Sequence, residues 1–501
     1  MRAVPHYLTT PWGQIRLWVA GEGRPVLVLP GLIRAAETVA VDLAEQGLTA
    51  HALELPSEIP LTNLRLTIRR VAETLGLTQS VLAYDLSAAL YLGCVALDSY
   101  RARGWRQAGL IDLDPTLRID GTHLTAIHAH IRNAHLLSPG DPGRADRGGP
   151  ALPDAEALHA ATLAAAVKPE RYTALWNDCL RSAATIDGPA TLAEALAQLG
   201  PGPTQVRLPK PSPSPPISCD YVDIPRGRMH LRVVPGRGRP LVMLHSAPGG
   251  SAPLSNLMLM LALADGAERP VIAPDYLGNG LSSKPDGAVD IARLGQDVVD
   301  MLAALDLPQV DLWGTHTGAL VALEAALIAP ERTNRLVLEA PPLLSPSFTT
   351  DILENYLPPI RPDPWGLHLQ QAWNMRRDMF LFWPWYRRER AAIRPLDLPD
   401  AAFLHDWTIG LLQSGRTYDR SYRAAFEYDA RARLPLLARP ALVCAGPSDM
   451  LADGLAEAAR LNPLVTAAAT PATVWYPNQD PEAVAETVIT YLAALSDSDQ
   501  L

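Results

Sequence analysis

Seven prolines fall within the eighteen residues Pro201–Ser218 (PGPTQVRLPKPSPSPPIS), and the same pattern is written on both sides of that run. So many prolines cannot donate the backbone hydrogen bonds that helix or sheet needs, so the run reads as a semi-rigid polyproline linker. Across it, Tyr7–Gly13 (YLTTPWG) aligns with Tyr221–Gly227 (YVDIPRG), and Gly23–Leu29 (GRPVLVL) with Gly238–Leu244 (GRPLVML). Leu77–Gln79 then matches Leu307–Gln309, Gly121–Leu124 matches Gly366–Leu369, and Leu152–His159 matches Leu398–His405. The offset drifts from 214 to 246, as insertions in loops produce. Order and spacing persist too long for two unrelated α/β units with similar strand motifs, and a tandem duplication is expected. The second copy continues into Arg439–Gly446 and beyond, whereas the first stops near Gly200, so the first is a truncated copy. The expected domains are 1–200, the linker 201–218, and a complete domain at 219–501.

Both halves alternate short apolar runs, bounded by Gly and Pro, with longer helical periods. In the second half Leu241–Leu244, Val271–Ala273, Val310–Trp313, Leu336–Leu338, Ala441–Cys444 and Thr473–Trp475 read as buried strands. Asp290–Leu305, Ala319–Ile328 and Pro481–Leu495 read as helices. This βαβα order predicts an α/β fold: a mostly parallel sheet with helices on both faces, its chemistry at the strand C-termini. Residues at about 343–434, rich in Trp, Arg and Pro, predict a helical cap over those ends.

The second half, 221–495, resembles the α/β-hydrolase superfamily. Leu244–Gly250 (LHSAPGG) resembles its oxyanion loop, and Ala273–Gly280 (APDYLGNG) with Ser282 resembles its D-x-x-G-x-G-x-S segment. Leu312–Gly318 (LWGTHTG) stands at the nucleophile elbow, and Cys444–Asp449 (CAGPSD) resembles the loop that carries the catalytic acid. The elbow departs from the family pattern. Gly314 and Gly318 keep the small residues that a strained turn requires, yet the apex is His316 rather than Ser, Cys or Asp. The resemblance places a catalytic histidine near Asn478–Gln479, but no histidine follows His405. A Ser–His–Asp relay therefore cannot be assembled in the usual chain order.

His316 is the candidate working group, because an imidazole titrating near neutrality serves as general base, general acid or nucleophile. Asp449 is the candidate to hold its Nδ1–H and fix the tautomer, with Glu339 as the other orienting carboxylate. The backbone N–H groups of Ala247 and Thr317 are the expected oxyanion hole. The alternative is that His316 is a relic in a site that binds without reacting. In the first half the corresponding positions are Tyr84 for Gly314 and Leu86 for His316, so no catalysis is expected there. That half is expected to pack against the sheet or cap of the second. His245 reads as shaping its turn or touching substrate. In the cap, His368, Gln371–Ala372 and Met375–Arg376 recur at helical spacing, so one face can look into the cleft. His368, Trp373, Trp383 and Trp385 are the candidate walls of an apolar or aromatic pocket.

Composition narrows the partners. With 43 Lys+Arg against 53 Asp+Glu, the net charge of −10 offers no field to attract nucleic acid. No apolar run reaches 18 residues, and the N-terminus has no apolar h-region, so neither a membrane span nor a signal peptide is expected. Four dispersed cysteines without a CxxC suit a reducing cytoplasm. His316, His368 and His405 lack ligand spacing, so no metal is expected, and no glycine-rich phosphate loop supports a nucleotide, so no cofactor is expected. Together these readings point to a cofactor-free enzyme acting on a small carbonyl compound (an ester, a lactone, or a C–C bond next to a carbonyl). The alternative is a non-catalytic ligand-binding or scaffold protein.

Overall fold

Apolar strands alternating with helices build two separate sheets. The computed structural model describes residues 2–55, 59–91, 94–97, 117–136, 153–182, 192–212, 216–263, 269–474 and 479–496. The chain divides into two compact units, one of residues 1–214 with 362–370 and one of residues 215–361 with 371–501. The division falls inside the proline-rich run.

In the first unit, β1 (Val4–Thr10) and β2 (Gly13–Ala20) form an antiparallel hairpin. Gly13 closes it at φ 123°, a conformation that glycine adopts without steric cost. Then follow β3 (Arg24–Leu29), β4 (Leu48–Leu53), β5 (Val81–Tyr84) and β6 (Val95–Leu97), in the spatial order β1-β2-β4-β3-β5-β6. The pairs β3–β4, β3–β5 and β5–β6 are parallel. Parallel neighbours need crossovers, and the helices Ala36–Glu45 and Leu61–Leu75 supply them. Ala40, Leu43, Val26 and Val28 pack between helix and sheet. The segment 362–370 is held in this unit by a chain of polar contacts. His368 Nδ1 lies 3.0 Å from Asp363 Oδ2, and its Nε2 lies 2.8 Å from Nδ1 of the buried His159.

The second unit runs through β7 (Ser218–Ile224), β8 (Gly227–Val234), β9 (Leu241–Leu244), β10 (Val271–Pro274), β11 (Val310–Thr315), β12 (Thr333–Glu339), β13 (Ala441–Ala445) and β14 (Val465–Ala469). From the hairpin edge the spatial order is β7-β8-β10-β9-β11-β12-β13-β14. The first six positions repeat the order of the smaller sheet, with the same antiparallel hairpin at the edge. Among the described residues, the first unit has no counterpart of β13 and β14. The central strands β9, β11 and β13 are buried along their whole length, as a sheet covered on both faces requires. On one face Ile291, Val298 and Leu320 pack against Leu244 and Leu312. On the other, Leu257, Leu261 and Tyr491 pack against Met243 and Trp313. The helix Ile291–Ala304 begins where Asp290 Oδ1 accepts the Arg293 N–H at 2.6 Å, satisfying a donor that the first turn leaves open. Between β12 and β13 lie the helices Pro346–Asn355, Leu367–Leu381, Ala401–Gln413, Tyr418–Glu427 and Ala430–Arg433, in the expected cap segment.

One expected strand is misplaced. The last strand is Val465–Ala469, not Thr473–Trp475. The β-branched and aromatic Thr-Val-Trp has the stronger strand propensity. However, only three residues separate the end of the helix Leu455–Leu461 from Val465, which pairs with Ala441, and that short connection places the strand there. Thr473 and Val474 follow the strand, and Trp475 lies outside the described residues.

Candidate active site

The end of β11 turns sharply into the helix Thr317–Ile328, with His316 at the apex at φ 51°, ψ −112°. A non-glycine residue there is strained, and such strain persists only where its surroundings enforce it. The two flanking glycines do so. A Cβ on Gly314 would stand 2.2 Å from Gly318 O, and one on Gly318 would stand 2.0 Å from Leu244 O. The His316 N–H donates to Glu339 O at 2.9 Å, tying the apex to the end of the neighbouring strand.

The imidazole reaches the acid loop directly. His316 Nε2 lies 3.0 Å from Asp449 Oδ2. This corrects the expected pairing, which assigned the carboxylate to Nδ1. At the apex the ring projects toward β13 through its far nitrogen, so no intervening histidine is required. Asp449 is held in place: its Oδ1 accepts the Leu451 N–H at 2.9 Å, and its side chain is fully buried. Burial alone would lower the His316 pKa, but the charge and hydrogen bond of Asp449 outweigh it and hold the pKa above its ordinary value. Burial would likewise raise Asp449, yet the neighbouring imidazolium keeps its carboxyl below the usual range. Each group thus favours the charged form of the other. Glu339 lies behind them, fully buried, its Oε1 accepting the Tyr491 hydroxyl at 2.8 Å. Burial pushes its pKa up to about 7.

Ala247, in the loop after β9, and Thr317 both line the cleft in front of His316. Thr317 opens its helix, so its N–H has no acceptor within that helix and points with the positive end of the helix dipole. His245 is buried and committed: Nδ1 lies 2.8 Å from Ser246 O, and Nε2 accepts the Tyr276 N–H at 3.3 Å. Those partners require a neutral ring, and burial pushes its pKa down. His245 lines an adjacent cleft with Phe403, Asp406 and Gly410, not the one before His316.

The His316 cleft encloses about 620 Å³ of empty space. Of the four expected cap residues only Trp383 lines it. Trp373 is fully buried, and Trp385 donates Nε1–H to Tyr356 O at 3.1 Å. His368 is held by Asp363 and His159 in the first unit. The helix Leu367–Leu381 presents Arg376 and Met379 to the cleft instead, with Arg394, Trp407, Tyr422 and Phe426 from later cap segments. Arg376 stood on the helical face singled out by spacing. The others sit on segments whose folding back over the sheet leaves no periodic trace in the sequence. Among the described residues, no three His, Cys, Asp or Glu side chains group as metal ligands.

Residues 239–366, which span the oxyanion loop, β10, the elbow and β12, match the family model described as alpha/beta hydrolase fold. Over this stretch the chain matches the alpha/beta hydrolase fold. A stretch of 109 residues is 42% identical to 2-hydroxymuconate semialdehyde hydrolase from Pseudomonas sp. (strain CF600), covering 21% of this chain and 36% of that protein. A proline iminopeptidase from Heyndrickxia coagulans is 29% identical over 139 residues, covering 27% of this chain and 47% of the relative. The chain thus spans about a third to a half of the length of these curated relatives. Among solved structures, epoxide hydrolase A from Mycobacterium thermoresistibile aligns with a TM-score of 0.44 at 21% identity, covering 55% of this chain and 98% of that one. The second unit lacks the residues of a serine relay at two places, the His316 apex and the histidine-free stretch after β14. In the smaller unit β5 leads into a 3₁₀ turn, Asp85–Leu90, and Ser87 Oγ is buried within hydrogen-bond distance of Leu29 O (3.1 Å) and Tyr84 O (2.7 Å). Among the described residues no helix is long and apolar enough to cross a membrane.

Proposed function

We propose that the second unit is a cofactor-free enzyme in which the His316–Asp449 pair performs acid–base chemistry on a small carbonyl compound, an ester or lactone or a bond next to a carbonyl. The observation that carries this reading is the 3.0 Å contact between a strained elbow imidazole and a buried carboxylate at the mouth of a cleft. The hydrolase name of 2-hydroxymuconate semialdehyde hydrolase among the relatives supports the reaction class.

With Nε2 committed to Asp449, proton transfer falls to Nδ1. In its neutral form His316 takes a proton from water as the oxygen attacks the carbonyl carbon. The resulting oxyanion is met by the Ala247 and Thr317 N–H groups. The imidazolium, stabilised by Asp449, then returns the proton to the departing alkoxide, so protons balance over the cycle. No acyl-serine forms. Because the working form is neutral imidazole and Asp449 raises the His316 pKa, kcat/KM is expected to climb with pH through a midpoint above 6.5.

The test is a panel of p-nitrophenyl esters, lactones and β-diketones with wild type, His316→Ala and His316→Gln. Turnover should fall at least roughly a hundredfold in both variants, the range of general-base loss. A fluorophosphonate should label no serine. Wild-type rates in His316→Ala, or stoichiometric serine labelling, would overturn the mechanism.

A further inference from the structure

The guanidinium of Arg376 is the cation in this cleft that the fold leaves without an anion. Arg376 is 1% exposed, yet among the described residues no carboxylate pairs with it. Its Nη2 donates to Pro248 O at 2.5 Å, its Nη1 contacts Met379 Sδ at 3.9 Å, and its Nε–H is buried with no acceptor. A guanidinium has five N–H donors in a fixed fork, so these contacts leave most of its donor capacity unused. Its carbon centre sits 4.1 Å over the Trp407 ring, which orients the plane and offsets only part of the lost hydration. Burial pushes its pKa down to about 10, still cationic at neutral pH.

The surroundings do not supply the missing charge. The cleft wall holds His316, Arg376 and Arg394 and no Asp or Glu. Asp449, just behind the wall, is matched to His316. Arg394 is directed to the carbonyls of Met379, at 2.7 Å, and Ser448, at 3.3 Å. Apart from Ser246 and Thr317, the rest of the wall is aromatic or apolar, with Trp383, Tyr422, Phe426 and Leu451 among it. A buried cation without a counter-ion destabilises a fold unless something else meets it, and a planar fork in an apolar slot matches a carboxylate.

We infer that the substrate is a small organic carboxylate whose anion seats on Arg376 while its carbonyl faces His316 and its apolar body lies along Trp383, Tyr422 and Phe426. This assignment rests on the reading of the cleft as a substrate site and adds the substrate's charge to it. Arg376 sets specificity and takes no part in proton transfer.

The experiment is equilibrium titration of the full chain at pH 7.5 with phenylacetate and with phenylacetamide, which share shape and differ in charge. Phenylacetate should bind at least tenfold more tightly in wild type. Arg376→Gln should erase that preference while leaving phenylacetamide unchanged, and Arg376→Lys should retain part of it. Equal binding of the pair, binding of neither at millimolar concentration, or an undiminished preference in Arg376→Gln would overturn the assignment. The wild-type comparison needs no variant, so it decides even where Arg376→Gln misfolds. His316→Gln separates the two proposals. A carboxylate preference that persists there with unimpaired turnover would sink the acid–base role of His316 and leave the anion seat standing.

Discussion

His316 and Asp449 titrate as a unit, and the direction of each shift fixes what a single substitution does. Asp449→Asn removes the charge that holds the imidazolium, so the midpoint of the pH–rate profile should move to lower pH, together with a fall in rate as the ring loses its orientation. A midpoint that stays in place would show that the profile reports another group. The pair also carries a pH-dependent share of stability. His316, whose pKa is raised on folding, contributes fully below its unfolded value and loses that contribution as pH climbs through the folded one. Glu339 has the same sign for a different reason. Its folded pKa of about 7 lies above the usual 4.5, so the native state binds the extra proton and stability declines between those two pH values. Glu339→Gln should flatten that decline by roughly 2–3 kcal/mol, read from urea melts at pH 5 and pH 7. Parallel slopes in wild type and variant would remove Glu339 from the titrating set.

At the scale of elements, the elbow depends on two absent methyl groups. Gly314→Ala places a carbon 2.2 Å from a backbone oxygen that cannot swing away, so the loss should exceed about 2 kcal/mol and activity should fall with it. A variant as stable as wild type in urea would mean that the turn is looser than its angles imply. The elbow was legible in the sequence because close backbone approach demands glycine, and Gly314 and Gly318 bracket His316 at that spacing. The strands Leu241–Leu244 and Ala441–Ala445 were legible for a related reason, since burial on both faces leaves an unbroken apolar run. The last strand was not. Val465–Ala469 lies at the edge, has mostly exposed positions, and three of its five residues are alanines that carry no strand signal. The cleft walls were half legible: Trp383 and the Arg376 face followed from residue type and helical spacing. Tyr356, Trp407 and Tyr422 reach the cleft only through the path of the cap, which local sequence does not encode.

At the scale of the whole molecule, the two units share a strand order but not a complement of strands. Among the described residues the smaller sheet has no strand corresponding to β13, and its elbow position carries Tyr84 and a 3₁₀ turn. A fragment of residues 216–501 contains every strand of the larger sheet and should fold cooperatively. Within it the segment 362–370 loses His159, the partner of His368, and limited chymotrypsin digestion should cut after the exposed Trp365 faster than in the full chain. Equal cutting rates would show that the segment is held by the second unit alone.

The stretch 362–370 lies about 150 residues beyond the proline-rich run, yet it completes the unit on the near side of it. Synthesis runs from the N-terminus, and domains generally form as they leave the ribosome. Here the leading unit stays unfinished until about half of the trailing one has been made, so the order of assembly differs from the order of synthesis.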